Sequence, residues 1–149
     1  MNARFIAPAA LATAAAIALA LALLPARAQA TTVGELLDSG AKPLGKDEVH
    51  ALLSGAKIKG MSPQDLPFEA EHKADGSYSG TMTAQDNRSI GIFGKWAVKD
   101  DGAACMTIGG GPRRGEQSCG YWLRKGAEHY NAQSIADRGA AARPIAFSK

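Results

Sequence analysis

The chain has little of what usually announces a chemistry. Its 149 residues hold two cysteines, three histidines and two tryptophans, and aromatic residues make up only 6%. Two cysteines and a distant His129 are too few, at the wrong spacing, for a zinc module, and no C-x-x-C pair suggests a redox centre. No G-x-x-x-x-G-K-[ST] segment is present, which excludes a phosphate loop of that type. G-x-S-x-G and H-E-x-x-H are missing too, so no nucleophile elbow or helical zinc site is written in the chain. These absences leave no catalytic residue, metal or cofactor to assign.

Charge of one sign is also scarce. Arg4 and Arg27 are the only charged residues before position 31, so residues 31–149 keep 15 Lys and Arg against 14 Asp and Glu, a net of +1. That balance gives no electrostatic footprint for nucleic acid. The later half is the more basic, with 9 basic and 5 acidic groups over residues 95–149.

The first thirty residues do carry a signal. Arg4 precedes an apolar run from Phe5 to Leu24, Pro25 breaks it, and Ala28-Gln29-Ala30 supplies small residues for cleavage. This pattern is that of a secretory signal peptide over residues 1–30, cut after Ala30. No cysteine follows the cut to carry a lipid anchor, and no membrane span remains after cleavage. A periplasmic or secreted protein is expected. Two cysteines in an oxidising compartment are most simply a disulfide.

Residues 31–55 read as a helical segment. Thr32 and Glu35 have capping-box spacing, Val33, Leu36 and Leu37 form a stripe, and Gly40 is a stop. "KDEVHALLSG" gives a second short helix with Val49, Leu52 and Leu53 on one face and His50 off it. From residue 56 to 149 the period changes to two. Eight strands are expected, over 56–60, 67–73, 77–84, 89–99, 103–108, 117–124, 127–134 and 142–147. Short strands with turns and no helix between them form an antiparallel meander. The fold class is therefore mainly β: a small barrel or a strongly curved sheet, with two short N-terminal helices. Pro144 suits a strand start or an edge.

The loop "GGGPRRG" at 109–115 centres on Pro112, and Cys105 and Cys119 each lie seven residues from that centre. Folding the segment about its middle sets the cysteines opposite each other on adjacent strands, which predicts a Cys105–Cys119 bond. Arg113 and Arg114 at the tip are candidate anion ligands, with a solvated loop tip as the simpler reading.

Turn chemistry sets the faces. "KADGS" and "KDDGA" fit three-residue turns with a left-handed glycine. That register places Phe68 opposite Met82, His72 opposite Tyr78, Trp96 opposite Met106 and Val98 opposite Ala104. A two-residue Lys125-Gly126 loop would place Trp122 opposite His129 and Tyr121 opposite Tyr130. One face then carries Ile90, Ile92, Trp96, Val98, Met106, Ile108, Trp122 and His129 and is taken as the interior. The disulfide, Tyr121, Leu123 and Tyr130 take the other face, under the helices. Within the barrel, Trp96, Trp122, His129, His72 and Tyr78 are candidate ligand contacts. The simpler expectation is a filled core, because an eight-stranded barrel is just wide enough for its own side chains. Glu69 and Glu71 alternate with Phe68 and Ala70 and face solvent.

Three segments, "EVHALLSGAKIKG", "GKWAVKDDGAAC" and "CGYWLRKGAEHY", resemble a family of small exported proteobacterial proteins, domain-of-unknown-function family 995, over about the last hundred residues. The resemblance implies no activity and no functional residues. A fainter likeness is to periplasmic lysozyme-inhibitor barrels, of whose inhibitory segment "DGSYSGTM" is a poor echo. The functional expectation is a monomeric, exported, non-catalytic β-protein that binds a small molecule, an envelope component or a protein partner. Two alternatives stand beside it: an inhibitor of an envelope-degrading enzyme such as a lysozyme, and a small hydrolase or isomerase using His72 or His129 beside a carboxylate.

Overall fold

The computed structural model describes residues 31–148; the expected signal peptide at 1–30 lies outside the described residues. Two helices, α1 (Val33–Asp38) and α2 (Lys46–Leu53), are preceded by two-residue strands β1 (Thr31–Thr32) and β2 (Lys42–Pro43). Eight longer strands follow: β3 (Ala56–Met61), β4 (Pro67–His72), β5 (Ser77–Thr83), β6 (Ser89–Val98), β7 (Ala104–Ile108), β8 (Gln117–Lys125), β9 (Glu128–Ala132) and β10 (Ala141–Ser148). Each pairs antiparallel with the next, and β10 returns to β3 through Ala146–Lys59, Phe147–Ile58 and Ser148–Lys57. The sheet is therefore a closed eight-stranded up-and-down barrel rather than an open curved sheet. Closure leaves no free ladder of backbone N–H and C=O groups along the ring.

Local chemistry explains the helices. Thr32 Oγ1 accepts from the Glu35 N–H at 3.2 Å while Glu35 Oε2 accepts from the Thr32 N–H at 2.8 Å, a complete capping box. At α2 the cap residue is Gly45, whose N–H donates to Glu48 Oε2 at 3.1 Å. Gly40 and Gly55, just past the two helices, have φ of +91° and +75°, where a Cβ would be strained. α1 lies against the outer face of the barrel: Val33 and Leu36 bury themselves against Leu123, Ala132 and Ala142, with Tyr130 beside them. α2 covers one end, where Val49 and Leu53 join Ile58, Trp96 and Trp122 in the main core.

The turn readings hold in the first two hairpins. Gly76 and Gly102 take φ of +78° and +84°, and Phe68–Met82, His72–Tyr78, Trp96–Met106 and Val98–Ala104 are paired. In the third hairpin the expected register is corrected by two residues. The turn falls at Gly126-Ala127, so Trp122 faces Asn131, Leu123 faces Tyr130, and His129 faces Arg124. A slip of two preserves the face of every side chain, so Trp122 and His129 still point the same way, but they are not neighbours across the ladder.

Two further expectations are adjusted. Pro144 sits inside β10, not at its start or on an edge. It is tolerated there because β10 pairs with β9 as far as Ile145 and joins β3 only from Ala146 onward, so the ladder is already changing partners around the proline. Ile90, expected inside, is 45% exposed. β6 begins to pair with β7 only at Gly94, so its first residues extend past the rim with β5 alone.

The barrel is tightly coiled at two glycines. A Cβ on Gly80 would overlap the carbonyl oxygen of Glu69, and one on Gly94 would overlap the carbonyl oxygen of Thr107. At these two points one strand's backbone lies where a side chain would normally stand, which bends the sheet into a closed ring.

Candidate functional site

The interior is filled at one end and open at the other. Near α2, Leu53, Ala56, Trp96 and Trp122 pack together with little exposure. Toward the opposite rim a cavity of about 320 Å³ remains. The filled core, the simpler expectation, thus holds only at the α2 end. The inward row of the sheet reads Ile58, Ala70, Gly80, Ile92 across four strands, and Ala70 is the small residue of that row that lines the cavity. At Gly60, Gly80 and Gly94 a neighbouring side chain or carbonyl oxygen already occupies the place of a Cβ.

The cavity has two kinds of wall. Ile58, Phe68, Met82, Ile92, Met106 and Ile108 line it on β3 to β7. On the other side, β8, β9 and the residue after β9 contribute Gln117, Ser118, Trp122, Asn131 and Gln133, and the β3–β4 turn adds Ser62 and Gln64 at the mouth. That turn is held compactly: Ser62 Oγ accepts from the Leu66 N–H at 3.2 Å, and Arg143 reaches across from β10 to Asp65 at 3.2 Å and to the Pro63 carbonyl at 3.3 Å.

Four of the five aromatic and histidine candidates meet in this interior: His72, Tyr78, Trp96 and Trp122 all line the cavity. His72, only 2% exposed, stacks on Tyr78 with ring centroids 5.9 Å apart and meets the edge of Trp96 at 5.7 Å. Its Nδ1 has no hydrogen-bond partner among the described residues. Burial pushes its pKa down to about 4, so the imidazole is neutral at pH 7. Burial likewise raises the Tyr78 phenol. The Trp96 indole N–H donates to the Lys73 carbonyl at 3.0 Å, which fixes that ring. The exposed His50 of α2 lies over Trp96 at 5.4 Å. The Trp122 indole nitrogen, by contrast, is buried without a partner.

His129 is not part of the cavity wall. It packs on the edge of Phe147 at 5.1 Å, and Phe147 in turn meets Trp122 at 5.4 Å. Burial first, and Arg124 second, lower its pKa. Among the described residues neither His72 nor His129 hydrogen-bonds or ion-pairs with a carboxylate.

The two loop arginines separate. Arg113 stands at the cavity mouth and pairs with Glu116 at 2.7 Å. Arg114 is exposed at the tip, where its N–H closes a turn onto the Gly111 carbonyl. The loop is anchored below by the Cys105–Cys119 disulfide, formed between directly paired residues as its symmetry about Pro112 requires.

Sequence reasoning missed the polar wall. Asn131, Gln117, Gln133 and Gln64 have no motif; strand alternation with the right register marks Gln117 and Asn131, and nothing local marks Gln64 in its turn or Gln133 beyond the end of β9. Asn131 occupies the place across from Trp122 that a turn at Lys125-Gly126 would have given to His129.

No protein-family model matches the chain and no curated protein is detectably similar to it.

Proposed function

We propose that the protein is a non-catalytic carrier or receptor that holds a small, mainly apolar molecule inside its barrel, and that it works outside the cytoplasm. The observation that carries this reading is the 320 Å³ cavity within a closed barrel, walled by aliphatic and aromatic side chains with a few polar groups. Volumes of this order, lined in this way, are characteristic of small-molecule sites. The export signal and the disulfide support the location. The inhibitor alternative has less in its favour: residues 75–82 run through the β4–β5 turn and into β5, with Tyr78 buried in the core.

The test is binding of naphthalene, read by quenching of the two tryptophans, in the natural chain and in Ala70→Phe. Ala70 is inward and lines the cavity. Micromolar to millimolar binding lost in a folded Ala70→Phe protein supports the reading; binding unchanged by the filled cavity, or absent from the natural chain, overturns it.

A further inference from the structure

Trp122 and Asn131 face each other across the β8–β9 ladder, and both line the cavity. Directly paired side chains on one face stand about 5 Å apart at Cβ. The Trp122 indole N–H is buried with no acceptor among the described residues. Asn131 spends its side-chain N–H₂ on the Tyr121 carbonyl at 3.2 Å, and its Oδ1 accepts no hydrogen bond among the described residues. An unused donor therefore stands across the ladder from a half-buried acceptor that is also unused. A buried polar group left unpaired costs about 1–3 kcal/mol, so the Trp122 indole N–H is an unusual feature to leave in a core.

A single chemical group satisfies both: a hydroxyl, which accepts from the indole and donates to the amide oxygen. The facing wall asks for the opposite chemistry. Ile58, Ile92, Met106 and Ile108 offer only apolar surface. Charge narrows the choice further. Among the described residues Arg113 is the one permanently charged side chain in the wall, it already pairs with Glu116, and no carboxylate lines the cavity. A cation would therefore enter with nothing to compensate its lost hydration. Size sets the last bound: 320 Å³ is roughly ten water volumes.

We infer that the ligand is an uncharged apolar ring compound of about ten non-hydrogen atoms carrying a hydroxyl group, seated with that hydroxyl between Trp122 and Asn131 and its ring against the aliphatic wall. The inference rests on the barrel being a ligand holder. It adds the class of ligand and the two residues that read it.

The experiment titrates the full-length mature chain with 2-naphthol, 2-methoxynaphthalene, naphthalene and protonated 2-naphthylmethylamine, using tryptophan fluorescence and calorimetry. Naphthol should bind roughly fivefold or more tighter than naphthalene, with the methoxy compound between them because it accepts but cannot donate. The ammonium compound should bind weakest. In Trp122→Phe and, separately, Asn131→Leu, the preference for naphthol should fall to near unity while naphthalene affinity stays within about twofold. Trp96 remains as the reporter in the first variant, and thermal melting checks that both fold. Equal binding of naphthol and naphthalene, a preference that survives in both variants, or tight binding of the ammonium compound overturns the hydroxyl assignment while leaving the barrel a ligand holder. Failure of naphthalene itself overturns the ligand-holder reading and the assignment with it.

Discussion

Cys105 and Cys119 occupy a single rung of the β7–β8 ladder, with their Cα atoms 4.0 Å apart and Cys105 almost fully buried. The bond closes the Gly-Pro-Arg-Arg loop at its base rather than at its tip. The loop's glycines give it many unfolded conformations to lose, and the crosslink removes part of that freedom in advance.

The first prediction concerns that crosslink. Reduction, or Cys105→Ala with Cys119→Ala, should destabilise the fold by about 3 kcal/mol, the entropy estimate for a loop of this length. Urea unfolding with and without reductant measures it. A change below about 0.5 kcal/mol would mean that strand pairing alone holds the loop.

A second prediction follows from the coiling glycines. Gly94→Ala must displace the Thr107 carbonyl, and should cost about 3 kcal/mol, the upper part of the range for overpacking. Gly91→Ala, where a Cβ meets nothing within 4 Å, is the matched control and should stay within about 0.5 kcal/mol. Equal effects in the two variants would refute the account of how the barrel bends.

His72 makes stability depend on pH. Its folded pKa is about 4, against an ordinary value near 6.5 in the unfolded chain. Between those values the unfolded chain binds a proton that the folded chain excludes. Stability is therefore complete above about pH 6.5 and falls as pH drops toward 4, by about 3 kcal/mol in all. His129 adds a smaller effect of the same sign, since burial lowers it too. Urea midpoints at pH 7 and pH 5 should differ in the natural chain and converge in His72→Phe. A slope that persists undiminished in that variant would remove His72 as its source.

The tie between Arg143 and the β3–β4 turn gives a fourth prediction. The Arg143 side chain is 20% exposed and holds both Asp65 and the Pro63 carbonyl. Arg143→Ala should speed amide exchange at Asp65 and Leu66 about tenfold, with little effect in β5 and β6, because local opening there no longer breaks those bonds. Exchange that is unchanged would show that Ser62 alone secures the turn.

Much of the fold was legible in the sequence because alternation and turn chemistry act locally. All eight barrel strands were readable, including 56–60 and 142–147, whose patterns are the faintest; these two turn out to seal the ring against each other. The disulfide was legible from symmetry about Pro112. Two things were hidden for physical reasons. The Lys125-Gly126-Ala127 segment admits turns that differ by two residues without changing which side chains face inward, so the polarity pattern cannot choose between them. The open cavity depends on which side chains from β3 to β9 converge inside the closed ring, Ala70 and Asn131 among them, a property of the ring rather than of any one segment.

Sealing the ring with its last strand has a consequence for how the polypeptide is made. Whether it emerges from a ribosome or is threaded through a translocation channel, β3 arrives first and its partner in β10 arrives last, with Ser148 opposite Lys57. Every intermediate length is an unrolled ribbon with two sticky margins. A premature stop before β10 would thus yield, instead of a slightly shorter molecule, one whose bare margins recruit further copies of itself.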